Sequence, residues 1–207
     1  MTQRLTIHSE NPQLRLVRQA VDELRKGSLI IYPTDSSYAL GCLIGNKEAM
    51  EQMRRIRKLD NKHNFTLMCR DLGEISSYAK VSNQAYRLMK SLTPGPYTFI
   101  LKATHEVPRR LQNPKRKTIG LRVPDHSIAH ALLEELNAPI MSSTLLMQGE
   151  TEPMTDIDEI YERLHKQVGM VVDGGSCGFD ATTVIDLEED VPVVVREGKG
   201  AVEAIGL

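Results

Sequence analysis

"LIIYPTDSSYALGC", residues 29–42, opens as a strand bound for a core and then changes character. Leu29, Ile30, Ile31 and Tyr32 form an apolar, β-favouring run that a sheet can bury on both faces. Pro33 has no amide hydrogen, so the run is predicted to stop there. Thr34, Asp35, Ser36 and Ser37 follow, four short polar side chains, before apolar character returns at Tyr38. Such residues suit turns, because their oxygens bond nearby backbone amides. At the end of a core strand they also suit a binding crevice, which open sheets form at strand ends.

Around this stretch, helical and strand patterns alternate. Asn11-Pro12 opens a helix carrying Leu14, Val17, Ala20, Val21 and Leu24, which Gly27 ends. Asn46 caps a second helix carrying Met50, Met53 and Ile56, with a basic last turn. Further helices are predicted near 82–92, over 126–136 and over 156–166. Strands are predicted at 64–69, 97–103, 118–123, 139–143, 168–173, 182–187 and 192–196, with 104–116 irregular. Strands interleaved with helices predict an α/β layer fold with a mixed, twisted sheet. The closing run of strands predicts an antiparallel portion.

The 207 residues suit one α/β domain or two small ones. Only 4% are aromatic and none is Trp, so aliphatic side chains must fill the core. No apolar run reaches the ~20 residues that span a bilayer. The first residues lack the apolar segment of a secretory signal. Cys42, Cys69 and Cys177 are scattered and outside any CxxC spacing, which argues against a disulfide framework or zinc site and for a reducing cytoplasm.

The net charge of −1 conceals segregation. Residues 54–70 hold Arg54, Arg55, Arg57, Lys58, Lys62, His63 and Arg70 against Asp60. Residues 102–122 hold Lys102, Arg109, Arg110, Lys115, Arg116, Lys117 and Arg122 against Glu106, while 150–190 are mainly acidic. Two basic segments on one face would attract phosphates; apart, they are solvated loops. Small hydroxyl residues also gather at other strand ends: Ser142, Ser143 and Thr144; Thr182 and Thr183; Thr93 and Thr98. Turn chemistry alone explains any one group, but several together with basic segments point to a small phosphate-containing ligand. There is no Walker A loop, no GxGxxG after a strand, no HExxH and no metal-ligand spacing. "GGSCGFD", residues 174–180, is glycine-rich but opens no helix, and no histidine is recognisably paired with Cys177. In "RVPDH", residues 122–126, His126 is predicted in the first turn of a helix.

In order, "PTDSSYALGC" (33–42), "TPGPYTFIL" (93–101), "GLRVPDH" (120–126), "SSTLLMQG" (142–149), "ATTVIDL" (181–187) and "VVREGKGA" (194–201) resemble the motifs of YrdC-like proteins, which include the threonylcarbamoyl-AMP synthases. "HNFTLMCRD" resembles the YciO branch. The resemblance implies one YrdC-like domain over residues 1–207, an open twisted mixed α/β sheet with a concave, positively charged groove. It implies binding of nucleotide and of double-stranded RNA or tRNA; the chain is expected to be a monomer. Synthases of the family condense L-threonine, bicarbonate and ATP, the last with Mg2+, into threonylcarbamoyl-adenylate and pyrophosphate for a tRNA modification. By resemblance Thr34, Ser36, Arg122, Ser142 and Thr182 would hold the amino acid, and Lys58, Lys62, Thr144 and Arg196 the nucleotide. Lys58, Lys62 and Thr144 would be catalytic. Arg54, Arg55, Arg57, Arg109, Arg110, Lys115, Arg116 and Lys117 would form an RNA-binding patch.

The sequence departs from the synthase pattern at two points. Lys-x-Arg-Pro is replaced by "RKLDNKHNFTLM", residues 57–68, and Ser-x-Asn by Thr144-Leu145-Leu146. Leu146 cannot donate and accept as an amide does. A histidine usual after the short strand is Arg70 here. Two readings stand: a threonylcarbamoyl-AMP synthase of weak or altered activity, and a non-catalytic RNA-binding paralogue.

Overall fold

The computed structural model describes residues 2–59, 63–189 and 191–206. Its elements, in chain order, are β1 (Gln3–Thr6), α1 (Leu14–Arg25), β2 (Ile30–Pro33), β3 (Tyr38–Leu43), α2 (Lys47–Arg57), β4 (Thr66–Met68), α3 (Leu72–Tyr78), α4 (Asn83–Leu92), β5 (Tyr97–Lys102), β6 (Thr118–Arg122), α5 (Ser127–Leu136), β7 (Ile140–Thr144), α6 (Ile157–Leu164), β8 (Met170–Asp173), β9 (Thr183–Asp186) and β10 (Val193–Arg196). The strands form one mixed sheet in the order β1-β8-β2-β3-β7-β4-β6-β5-β9-β10. β8 runs parallel to β1 and β2, β4 to β6, and β5 to β9. The closing β9–β10 pair is antiparallel, as the strand run predicts, whereas β8 and β9 join parallel neighbours.

Pro33 does not stop the strand before it. It is the last residue of β2 and faces Tyr38 in an antiparallel hairpin. Thr34 to Ser37 are the hairpin turn. The Thr34 amide donates to the Ser37 carbonyl at 3.1 Å, and Thr34 Oγ1 accepts from the Ser36 and Ser37 amides, each at 3.2 Å. Three further elements lacked a sequence expectation. β1 is a short edge strand of mostly exposed residues. β3 is the returning arm of the hairpin. In α3 the N-cap Asp71 accepts from the Glu74 amide at 2.8 Å, while the Glu74 carboxylate reaches past it to accept from the Arg70 amide at 2.6 Å. His126 is the N-cap of α5 rather than a first-turn residue.

Strand side chains alternate between faces with period two, and the two faces are treated differently. One packs Leu29, Ile31, Leu67, Phe99, Leu121 and Met141 against α2, α4 and α6 through Met53, Met89 and Ile160. The other packs Ile30, Tyr32, Ile140 and Val172 against α1 and α5. Val17, Val21 and Leu24 of α1 and Ile128 and Leu132 of α5 are fully buried there. Burying each large aliphatic side chain contributes about 1.5–3 kcal/mol. This second cluster includes no side chain of β5, β6 or β9 among the described residues. That half of the face is where the polar strand residues lie.

The His126 cap is sensitive to acid. Its Nδ1 accepts the Ile128 amide at 3.2 Å, and burial holds the imidazole below its usual pKa. The folded state therefore takes up the proton less readily than the unfolded chain, and stability is lost as pH falls through the ordinary histidine value of about 6.5. His126→Asn keeps an acceptor that does not titrate. Urea midpoints measured from about pH 7 to pH 5 should fall less steeply for His126→Asn than for the parent; parallel curves would refute this role.

Candidate functional site

The uncovered half of the sheet floors a cavity of about 460 Å³. Its floor takes residues two apart from successive strands: Thr66 and Met68 of β4, Gly120 and Arg122 of β6, Thr98 and Ile100 of β5, Ser142 and Thr144 of β7. Gly120 keeps the middle low. A Cβ there would lie 3.2 Å from Thr66 Oγ1 and 3.5 Å from Thr98 Cγ2.

The residues expected to hold an amino acid come together here. Thr34 and Ser36 arrive from the hairpin turn, Arg122 and Ser142 from the floor, and Thr182 from just before β9. Thr144 and Arg196, expected at a nucleotide, line the same cavity. Arg122 is buried and already engaged: Nη1 donates to Ser36 Oγ at 2.9 Å and Nη2 pairs with Asp35 Oδ1. Arg122 Nε and Asp35 Oδ2, both buried, have no partner among the described residues. Burial pushes the Arg122 guanidinium down, and Asp35 opposes the shift. Ser142 Oγ lies 2.9 Å from the hydroxyl of Tyr32, a phenol that burial pushes far up. Thr182 Oγ1 lies 2.8 Å from Thr98 Oγ1, and Arg196 donates to the Thr182 carbonyl at 2.9 Å.

Other expected residues sit elsewhere. Lys58 is exposed where α2 ends in a left-handed turn (φ 50°), outside the cavity lining. Lys62 lies outside the described residues. Arg57, expected in the RNA-binding patch, lines the cavity, and its neighbour Arg54 is buried with its guanidinium 4.9 Å from the Phe65 ring centre. The reason is helical geometry: 54 and 57 are one turn apart, on the face that α2 buries with Met50, Met53 and Ile56. Arg55 is exposed on the opposite side. Arg109, Arg110, Lys115 and Lys117 are exposed. Arg116 reaches the cavity but is bonded to Asp186 at 2.5 Å and to Glu188 at 2.6 Å.

Sequence reasoning missed Thr66, Thr118 and Gly120 on the floor. The signal was present: small or polar residues at every second place inside otherwise apolar strands, as in Thr118-Ile-Gly-Leu-Arg122. It also missed Lys199, whose ammonium donates to the Asp35 carbonyl and ties the C-terminal segment to the hairpin turn. Among the described residues no group of three or more His, Cys, Asp or Glu could hold a metal ion. No described helix is long and apolar enough to cross a membrane.

Comparison with known proteins places this geometry among relatives. The model of the Sua5/YciO/YrdC family, described as telomere recombination, matches residues 22–198. YciO of Escherichia coli K12 is 58% identical over 203 residues, 98% of each chain. Its crystal structure superposes with a TM-score of 0.95 at 57% identity, covering 99% of this chain and 100% of that one. A threonylcarbamoyl-AMP synthase of Bacillus subtilis is 26% identical over 204 residues, 96% of this chain and 58% of that protein. The structure of P. abyssi Sua5 complexed with L-threonine matches with a TM-score of 0.90 at 26% identity, over 99% of this chain and 60% of that one.

The Asp35–Arg122 pair makes a direct prediction. Asp35→Asn leaves the guanidinium buried without a counter-charge, and breaking a buried pair costs about 3–5 kcal/mol. Urea unfolding should show that loss; a change within error would mean that water screens the pair.

Proposed function

This chain belongs to the Sua5/YciO/YrdC family, and from that footing we propose that its cavity binds a nucleotide and a small hydroxyl-bearing amino acid. We propose further that it makes threonylcarbamoyl-adenylate slowly from L-threonine, bicarbonate and ATP. The observation that carries this reading is the convergence of Thr34, Ser36, Arg122, Thr182 and Arg196 on one cavity. A volume of about 460 Å³ lies within the range of ligand pockets.

The threonine amine and bicarbonate give a carbamate and water. A carbamate oxygen attacks the α-phosphorus of ATP, and pyrophosphate leaves as the bridging P–O bond breaks. The chain's part is positioning and charge. Arginines on the walls neutralise phosphate oxygens, and the hydroxyls of Thr34, Ser36 and Thr182 orient the amino acid. Magnesium would enter with the ATP as substrate. Leu146 lines the wall where the synthase pattern carries an amide. Losing such a donor in a water-excluded site slows chemistry by about a hundredfold to a thousandfold.

The exposed Arg109, Arg110, Lys115 and Lys117 have no acidic partner among the described residues and favour RNA as a further partner. The free cysteines, two of them buried, suit a reducing cytoplasm.

The purified protein should release pyrophosphate only when threonine, bicarbonate and ATP are all present. Leu146→Asn should raise that rate on the order of tenfold to a hundredfold. Release no greater than that of Arg122→Ala would end the catalytic reading. RNA affinity should fall with salt, and each phosphate-contacting cation neutralised among the four should take about one from the slope of log affinity against log salt. Binding indifferent to salt and to these changes would remove RNA from the account.

A further inference from the structure

Tyr32 is buried behind the cavity, 1% exposed and outside its lining. Its phenol oxygen lies 2.9 Å from Ser142 Oγ and has no other partner among the described residues. The ring reaches Ser142 across an intervening strand. Tyr32 is on β2 and Ser142 on β7, with β3 between them. Ser142 faces Gly41 of β3, and a Cβ on Gly41 would lie 2.7 Å from Tyr32 Cε1. The missing side chain at Gly41 is what lets the phenol cross β3.

Two protons meet at Ser142 Oγ, and one arrangement satisfies both. Ser142 Oγ lies 3.3 Å from the Leu40 carbonyl, which can only accept. The phenol proton is buried, leaving it unbonded is costly, and its one described acceptor is Ser142 Oγ. Tyr32 therefore donates to Ser142, and Ser142 gives its single proton to Leu40. Burial pushes the phenol far up, so this donor keeps its proton throughout the neutral range.

A serine hydroxyl has one proton and two lone pairs. Here the proton is committed and one lone pair holds the phenol. What Ser142 presents to the cavity it lines is the second lone pair. It accepts there and cannot donate. Arg122, on β6 with β4 between it and β7, can only donate. The two parts of the floor thus have opposite hydrogen-bonding sense. The donor that suits Ser142 is a neutral one. An ammonium would bring a charge to a neutral oxygen, and no carboxylate lines the cavity among the described residues. A hydroxyl brings no such cost.

We propose that Tyr32 is a positioning residue of this cavity: it fixes Ser142 as an acceptor, and Ser142 then takes the side-chain hydroxyl of the bound amino acid as its donor. Tyr32 touches no ligand and acts through Ser142. This rests on the amino-acid reading above and names the device that selects the hydroxyl.

Calorimetric titration of the full chain with L-threonine, O-methyl-L-threonine and L-2-aminobutyrate tests this. The methyl ether keeps the side-chain oxygen and lacks its proton; 2-aminobutyrate has neither. The parent should prefer threonine to the ether by about tenfold or more. In Tyr32→Phe the Ser142 hydroxyl is free to turn its proton to the ligand, so that ratio should narrow to about threefold. L-2-aminobutyrate should bind Tyr32→Phe and the parent alike, whereas a purely structural role would weaken all three ligands together. Ser142→Ala should narrow the ratio at least as far. Should Tyr32→Phe not fold, as judged by its melting curve, Ser142→Ala decides, since a parental ratio there means that the ether is refused for its size. A parental ratio in a folded Tyr32→Phe, a uniform loss across the three ligands, or a parent that binds threonine and its ether equally overturns the inference and leaves the amino-acid reading standing. A parent that binds none of the three overturns both.

Discussion

Two helices cover half of one sheet face, and the site follows from where they stop. α1 and α5 bury Ile30, Tyr32, Ile140 and Val172, but their apolar cluster reaches no residue of β5, β6 or β9. An uncovered sheet face must be polar or filled by a ligand, because exposed apolar strand residues invite association. Here Thr98, Thr118, Gly120 and Arg122 on that half are small or polar, beside Ile100 and Val184, while the intervening residues Leu67, Phe99 and Leu121 build the core beneath. The same strands therefore build the core on one side and the cavity floor on the other.

Charge in the cavity is distributed by need. The Arg122–Asp35 pair fastens the hairpin turn to β6, and Arg116 joins the loop before β6 to β9 and the residues after it through Asp186 and Glu188. These contacts hold the walls. Arg57 and Arg196 carry charge that no described carboxylate meets, and they are fixed by carbonyls and hydroxyls alone. Such neutral anchors orient a fork of donors without cancelling its field, which is what recognition of a phosphate requires.

Much of this was legible in the sequence. Hydroxyl groups at strand ends marked Thr34, Ser36, Ser142 and Thr182, and the motif order brought in Arg122 and Arg196. What escaped was directional. Lys58 and Arg57 are adjacent, and only the phase of α2 decides which one turns inward; the C-terminal left-handed turn sends Lys58 to solvent. Arg54 looked like a surface cation because its partner, the Phe65 ring, comes from a different element. The hairpin escaped because Pro33 was read as a terminator, although an edge-facing or terminal strand position tolerates it. α3 escaped because Ile75 is its one buried apolar residue, and its helix is announced by the Asp71–Glu74 caps rather than by periodicity.

Lys199 meets the carbonyl of Asp35, and β8 is inserted between β1 and β2. Both join the first part of the polypeptide to the last. During synthesis the N-terminal hairpin emerges long before the strand and the lysine that complete its surroundings. Until residues 181–199 have left the ribosome the hairpin turn lacks Lys199 and the cavity lacks Thr182 and Arg196, and pairings of such long sequence separation are slow to form.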